Sequence, residues 1–365
     1  LKVGIFHTAF LGDLVMIGRL VEALWRAGHE IIVFSNKAGT LLFKEDSRIH
    51  ATICIEKGKG AAKLSHFKIN TSVVHAAKLD ALLVPHRSFH SALLTKLSRV
   101  KKTVGFANST GAFLFEETVP YLSHLHESAR CLNLAPEWLV PRILKEQILL
   151  EDRNYLQPKA PLVKFEAAFP LFFHNNHPFF MIAPGSVWAT KMYPPALLSK
   201  VVLMLLKKHP DLRCVVSGGP EDLDAVNLFI SCFTEAAKEE TIVGAEERII
   251  NALRCLPIPE LVTLTGRAAF VISNDSAPFH IACAVKTPVL GIYGPTAWDT
   301  GFGPVGKSTK VVSLSLTQDT PLGCQPCSSH GHKSCPLQHH RCMRELQPEH
   351  VVKAALDLVP SVFNN

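Results

Sequence analysis

The residues of this chain best suited to chemistry sit where an apolar run of strand character gives way to a helical pattern. Thr8-Ala9-Phe10-Leu11-Gly12-Asp13 follows Val3-Gly4-Ile5-Phe6. A carboxylate there either caps the helix, worth about 1 kcal/mol, or acts as general base on a bound hydroxyl. Ala183-Pro184-Gly185-Ser186-Val187-Trp188-Ala189-Thr190-Lys191 offers backbone N–H groups, the hydroxyls of Ser186 and Thr190, and one ammonium. That set suits phosphate oxygens, and equally an ordinary turn ending in a solvated lysine. In Asn274-Asp275-Ser276-Ala277-Pro278-Phe279-His280 a strand runs straight into a helix whose first residue is expected to be Pro278. The N–H groups of Ser276 and Ala277 at that positive end could cradle a diphosphate, with His280 one turn further in. Gly218-Gly219-Pro220-Glu221-Asp222 adds acids that could accept from ribose hydroxyls or simply open a helix.

A second pattern lies near the C-terminus. Cys324, Cys327, Cys335 and Cys342 are spaced C-x2-C-x7-C-x6-C, with His330, His332, His339 and His340 between them. The first residues show no export signal, so this spacing favours a structural metal over disulfides. Zinc held by thiolates or a thiolate–imidazole mixture, or an iron–sulfur cluster, would satisfy it, and reduced thiols are the remaining reading. The other six of the ten cysteines fall in apolar or helical contexts and read as small buried hydrophobes.

Rigid elements must hold those loops. After the first loop, Leu14, Ile17, Val21 and Leu24 recur at helical spacing until Gly28, and Ile31-Ile32-Val33-Phe34 supplies the next strand, a βαβ unit. The rhythm repeats at Ala81-Leu82-Leu83-Val84, at Leu93, Leu94 and Leu97, and at Val104-Gly105-Phe106. It resumes with Phe179-Phe180-Met181-Ile182-Ala183, a helix over 197–208, Cys214-Val215-Val216-Ser217, Phe270-Val271-Ile272-Ser273, a helix over 278–285 and Val289-Leu290-Gly291-Ile292. Between the two series, residues 151–177 are broken by Pro158, Pro161, Pro170, Asn175 and Asn176 and read as a linker. Pro348 with Val351, Val352, Ala355 and Leu358 predicts a closing amphipathic helix. The expected class is α/β, two doubly wound domains facing an interdomain cleft, with ligands at the carboxyl ends of the strands.

Composition agrees. With 365 residues, 47% hydrophobic and 19% charged, the chain has material for two cores, and disorder is excluded over most of its length. No window approaches 18 uninterrupted apolar residues, and Lys2, His7 and Asp13 break the apolar start, so neither a membrane span nor a signal peptide is expected. A net charge of +7 suits an anionic substrate or an acidic membrane surface without requiring nucleic acid.

Taken together, Thr8-Ala9-Phe10-Leu11-Gly12-Asp13, Pro85-His86-Arg87-Ser88 with Val104-Gly105-Phe106, Pro184-Gly185-Ser186 through Thr190-Lys191, Asn274-Asp275-Ser276 with His280, and Gly294-Pro295-Thr296 resemble the bacterial family-9 glycosyltransferases, the ADP-heptose:lipopolysaccharide heptosyltransferases. The resemblance runs over nearly the whole length. It implies a GT-B architecture of two Rossmann-like domains: an acceptor domain over 1–165, a nucleotide-sugar domain over 166–345 containing the Cys/His-rich segment 324–342, and a helix over 346–365 returning to the first domain. It implies an inverting reaction with no catalytic metal, Asp13 as base, Lys191 steadying the sugar-diphosphate, and Ser186, Thr190, Asp275, Ser276, Ala277 and His280 around the donor phosphates. Asp222, or its neighbour Glu221, would hold the ribose. Arg87, Arg99 and Lys101, with His7, would meet the anionic acceptor, a lipopolysaccharide core or lipid A precursor. The implied location is cytoplasmic, peripheral to the inner membrane, and no nucleic acid partner is implied. His7 stands where many members have arginine, which bears on acceptor contacts, and Ala277 where they have glycine, which narrows the approach to phosphate. The alternatives are another nucleotide sugar or a protein acceptor on the same fold, or a non-catalytic sugar-nucleotide or metal-binding protein.

Overall fold

The alternation of apolar run and amphipathic helix resolves, in the computed structural model, into two six-stranded parallel sheets. All residues are described except 59, 152–154, 174–176, 243, 254, 300, 318–321, 364 and 365. Two units result, Leu1–Lys159 and Ala160–Asn365.

In the first unit β1 (Lys2–Phe6), β2 (Glu30–Ser35), β3 (Ala51–Cys54), β4 (Ala81–Val84), β5 (Lys102–Phe106) and β6 (Glu117–Val119) lie in the order β3-β2-β1-β4-β5-β6. In the second, β7 (Phe179–Ala183), β8 (Arg213–Val216), β9 (Ile249–Asn251), β10 (Phe270–Asn274), β11 (Val289–Tyr293) and β12 (Thr309–Ser313) repeat that order as β9-β8-β7-β10-β11-β12. Helices cover both faces of a parallel sheet, so its central strands are apolar on both sides; β4, β7, β10 and β11 are buried at every position. This is the dinucleotide-fold order, and it reverses between its first and fourth strands. Ile5 pairs with Leu83, and Ser273 with Ala183, so the strands flanking each reversal end level. The loops after β1 and β4, and those after β7 and β10, are thereby brought together within their own units.

Gly28 ends the helix Gly18–Arg26 with φ +77°, a left-handed turn that a side chain would resist. Arg48, with 3% of its side chain exposed, pairs with Asp46 at 2.5 Å and Glu22 at 2.8 Å and donates to Tyr155 O, fastening that helix to the segment before β3. In the second unit the helix Pro195–Lys208 buries Leu198, Val201, Val202 and Leu205 in the core.

Two expectations change here. The linker over 151–177 contains the helices Val163–Ala168 and Pro170–Phe173, with Phe165 and Phe172 buried against Phe179 and Met181. The phenylalanines interrupting its proline pattern are core residues of the second unit; Asn175 and Asn176 lie outside the described residues. The closing helix Pro348–Leu358, expected to return to the first domain, spends its apolar face on the second: Val351, Val352 and Ala355 join the core of Phe180, Val201 and Leu290. Among the described residues no helix is long and apolar enough to cross a membrane.

Candidate functional site

In the first unit the loop after β1 is held from the neighbouring strand: Ser35 Oγ donates to His7 O at 2.6 Å, and Asn36 Nδ2 to Ala9 O at 2.8 Å. Asp13 is the third residue of the helix Leu11–Val15, whose N-cap is Phe10, a side chain unable to cap. Asp13 is therefore not the N-cap residue itself; its charge sits in the first turn, where the helix dipole favours an anion. His7, 6% exposed, lies beside the Asp13 backbone, and its Nδ1 has no hydrogen-bond partner among the described residues. Burial first, then His86 and Lys57, push its pKa down to about 3.

His86 follows β4 and meets the His7 ring edge-on at 5.9 Å. Its Nδ1 lies 2.9 Å from Ser91 Oγ and 3.4 Å from Thr8 Oγ1, and Ser91 Oγ is 3.0 Å from Ser88 Oγ. Burial, then Lys57, His90 and Arg87, lowers its pKa to about 4. Both imidazoles are neutral at pH 7 and act as hydrogen-bonding groups rather than cations. His86 stands in the motif Pro85-His86-Arg87-Ser88 without a role of its own in the sequence, and its place just past the strand beside β1 is the signal that marks it.

Arg87 lays its guanidinium over the Tyr121 ring at 4.2 Å, with Arg130 over the same ring at 4.6 Å. Arg130 is committed to Glu127 and Tyr121 Oη, whereas Arg87 is exposed and has no carboxylate partner among the described residues. Arg99 and Lys101 are not brought to this place. They precede β5, at the amino ends of the parallel strands, and β5 separates that edge from the loops around Asp13 by about 16 Å. Residues just before and just after a short strand look adjacent in sequence but lie on opposite edges of a sheet.

In the second unit three loops meet, those after β7, β10 and β11. Lys191 Nζ lies 2.7 Å from Asp275 Oδ2, which also accepts from Thr296 Oγ1 at 2.8 Å. Asn274, 2% exposed, receives Tyr193 N at its Oδ1 and donates through Nδ2 to Pro184 O at 2.9 Å and Gly185 O at 3.2 Å. This one amide, not anticipated from the sequence, ties the loop after β7 to the end of β10. Ser276 is the N-cap of the helix Ala277–Ala284, which makes Ala277 its first residue and Pro278 its second, one position earlier than expected. In that first turn Pro278 has no N–H and Phe279 N donates to Ser276 O at 3.1 Å, which leaves the N–H of Ala277 without a preceding carbonyl among the described residues. His280 is 6% exposed; burial lowers its pKa to about 4, with Asp275 opposing and Lys191 assisting, so it too is neutral at pH 7.

Asp222 is half-buried and accepts from Gly219 N at 2.8 Å; burial raises its pKa. A Cβ at Gly185 would stand 1.9 Å from Asp222 Oδ1, so glycine is required for this close approach. Glu221 beside it is exposed. Ser186 Oγ stays near its own turn, 3.4 Å from Trp188 N. Thr190 is 3% exposed, and its hydroxyl, expected to face phosphate, is taken up by both polar atoms of the His332 backbone.

Cys324, Cys327, Cys335 and Cys342 all line one cavity of about 20 Å³, together with His339, whose Nε2 lies 3.9 Å from Cys324 Sγ. Burial, then the neighbouring thiols, pushes Cys342 up to about 12. The chemistry of this donor set is that of a thiolate metal site, yet among the described residues no three donors converge on a point that could hold an ion.

Comparisons with known proteins bear on this arrangement. The sequence pattern of glycosyltransferase family 9 (heptosyltransferase) matches residues 72–331. The chain is 24% identical, over 98% of either sequence, to lipooligosaccharide heptosyltransferase 2 of Campylobacter jejuni. Its fold superposes on ADP-heptose lps heptosyltransferase II of Escherichia coli with TM-score 0.77 at 16% identity, over 99% of both chains. It also superposes on the iron-containing dodecameric glycosyltransferase TibC of enterotoxigenic Escherichia coli with TM-score 0.57 at 14% identity, over 100% of this chain and 80% of that one. The two-sheet architecture is the GT-B fold of these enzymes.

Proposed function

The chain belongs to glycosyltransferase family 9, the heptosyltransferases, and from that premise we propose that it transfers heptose from ADP-heptose to an inner-core sugar of lipopolysaccharide, with inversion and without a catalytic metal. The observation that carries this reading is the group formed by Lys191, Asp275, Thr296 and the first turn of the helix Ala277–Ala284 at the reversal of the second sheet. The Lys191 ammonium and the N–H of Ala277 at the start of that helix suit the oxygens of a diphosphate. Neutral His280 adds an uncharged hydrogen-bonding group to it. Exposed Glu221 is better placed than the engaged Asp222 to accept from ribose hydroxyls.

Chemistry follows from two needs. A sugar hydroxyl is a weak nucleophile, so Asp13 accepts its proton as the oxygen bonds to the anomeric carbon; the bond from that carbon to the diphosphate oxygen breaks on the opposite face. The electron pair leaves with ADP, whose growing charge Lys191 and the Ala277 N–H stabilise. Arg87, without a carboxylate partner among the described residues, would take an acceptor phosphate or carboxylate. An acceptor carried on lipid places the enzyme at the cytoplasmic face of the inner membrane. Exposed Lys63, Leu64, Lys68 and Ile69 on the helix Lys63–Ala76 suit an anionic surface.

Cys324, Cys327, Cys335 and Cys342, which line one small cavity, are the residues that would hold a structural zinc or iron–sulfur cluster, although as they are placed no three donors converge on one point among the described residues. No step of transfer runs through it.

A thermal-shift screen of nucleotide sugars tests the donor. Stabilisation by ADP-sugars and not by UDP- or GDP-sugars is expected, because a ligand that binds only the native state raises its stability. A preference for a uridine donor would overturn the assignment.

A further inference from the structure

Lys191 closes the short turn Ala189–Lys191, and that turn is held by a segment 142 positions further along the chain. Thr190 Oγ1 donates to His332 O at 2.9 Å and accepts from His332 N at 2.8 Å, while Thr190 N donates to His332 O at 3.2 Å. The Thr190 carbonyl, which belongs to the peptide leading into Lys191, accepts from His340 Nε2 at 2.7 Å. A carbonyl only accepts, so Nε2 carries the hydrogen. Gly331 packs over the same turn with φ +94°; a Cβ there would stand 2.8 Å from Trp188 Cβ and 3.1 Å from Lys191 Cγ. His340 itself holds a left-handed backbone at φ 49°, a strained conformation for a residue with a side chain, which only a determined surrounding maintains.

We infer that Thr190 and His340 are positioning residues for Lys191, so that the Cys/His-rich segment is a working part of the donor site. The inference rests on the reading of Lys191 as the diphosphate's cation. A lysine has a long flexible stem, and binding through it loses rotamer freedom; fixing the peptide on its amino side removes part of that loss before the ligand arrives. The latch acts on the backbone of the turn, and Asp275 holds the ammonium at the other end. Lys191 is thereby presented to the diphosphate already placed.

The test uses the full chain and two readouts. ADP is titrated calorimetrically into the wild type and the variants His340→Ala, His340→Gln and Lys191→Ala. Separately, acetylation of Lys191 is timed by mass spectrometry without ligand. His340→Ala should weaken ADP about five- to tenfold, the worth of one hydrogen bond, and should speed Lys191 labelling several-fold. Glutamine, whose amide reaches about as far as Nε2, should restore both to within about twofold. If His340→Ala lowers only the melting temperature, with labelling and ADP affinity as in the wild type, the segment is merely structural and the inference falls. Loss of both readouts that glutamine does not recover overturns it as well. If Lys191→Ala binds ADP like the wild type, the donor-site reading fails, and the labelling rate still decides whether the latch positions Lys191. Should His340→Ala not fold, Thr190→Val interrogates the same latch with both readouts.

Discussion

Replacing Asp275 by asparagine separates what the site does for stability from what it does for the donor. The side chains of Lys191 and Asp275 are 12% and 8% exposed and 2.7 Å apart. Neutralising one partner leaves the other's charge with little water, a loss of about 3–5 kcal/mol for a fully buried pair. Residual exposure of Lys191 reduces this, and asparagine can still accept from Thr296, so about 2–3 kcal/mol is expected. For a unit of this size that is a drop in Tm of roughly 4–12 °C without ligand. A diphosphate would supply the missing negative charge and no longer meet the carboxylate's repulsion. Scanning calorimetry with and without ADP should therefore show ADP raising the Tm of Asp275→Asn by more than it raises that of the wild type. A ligand-free variant melting within about 1 °C of wild type would show that the pair contributes nothing. A smaller ADP shift in the variant would mean that the diphosphate does not go to Lys191.

Asp13→Asn should bind ADP as the wild type does while turnover falls by roughly 10²–10⁴, and a folded variant keeping most of its turnover would remove Asp13 as base. His280 has a folded pKa of about 4 against 6.5 when unfolded, so below pH 6.5 the unfolded chain binds the proton first. The stability it contributes is complete above pH 6.5 and falls by about 3 kcal/mol as pH drops toward 4, a limb that His280→Gln should flatten in denaturation measured across that range. Arg48→Met strands the buried Asp46 carboxylate and should cost about 3–5 kcal/mol, read as a lower urea midpoint; an unchanged midpoint would show the pair to be neutral. Protein purified without an affinity tag should contain about one zinc or one iron–sulfur cluster per chain. Joint replacement of Cys324 and Cys327 by serine should lower thermal stability and soluble yield more than turnover, and metal-free protein of full stability with four titratable thiols would dismiss the site.

The alternation of strand and helix, the two halves, and the loops at strand ends were legible from the sequence because they follow from local periodicity and from glycine, proline and charge at fixed offsets. Asp13, Lys191 and Asp275 stood out because each lies between an apolar run and the helical pattern that follows it. What the sequence could not supply was the order of the strands. That order alone places β4 against β1 and β10 against β7, and so brings His86 beside His7 and Asp275 beside Lys191. The same parallel geometry sends Arg99 and Lys101 to the far edge, although few residues separate them from the loops after β4 and β5. The phenylalanines of the apparent linker and the latch from His332 and His340 onto Thr190 were hidden for a related reason. Burial and hydrogen bonding between segments far apart in sequence leave no periodic trace in either one, and only the tertiary fold decides which partners meet.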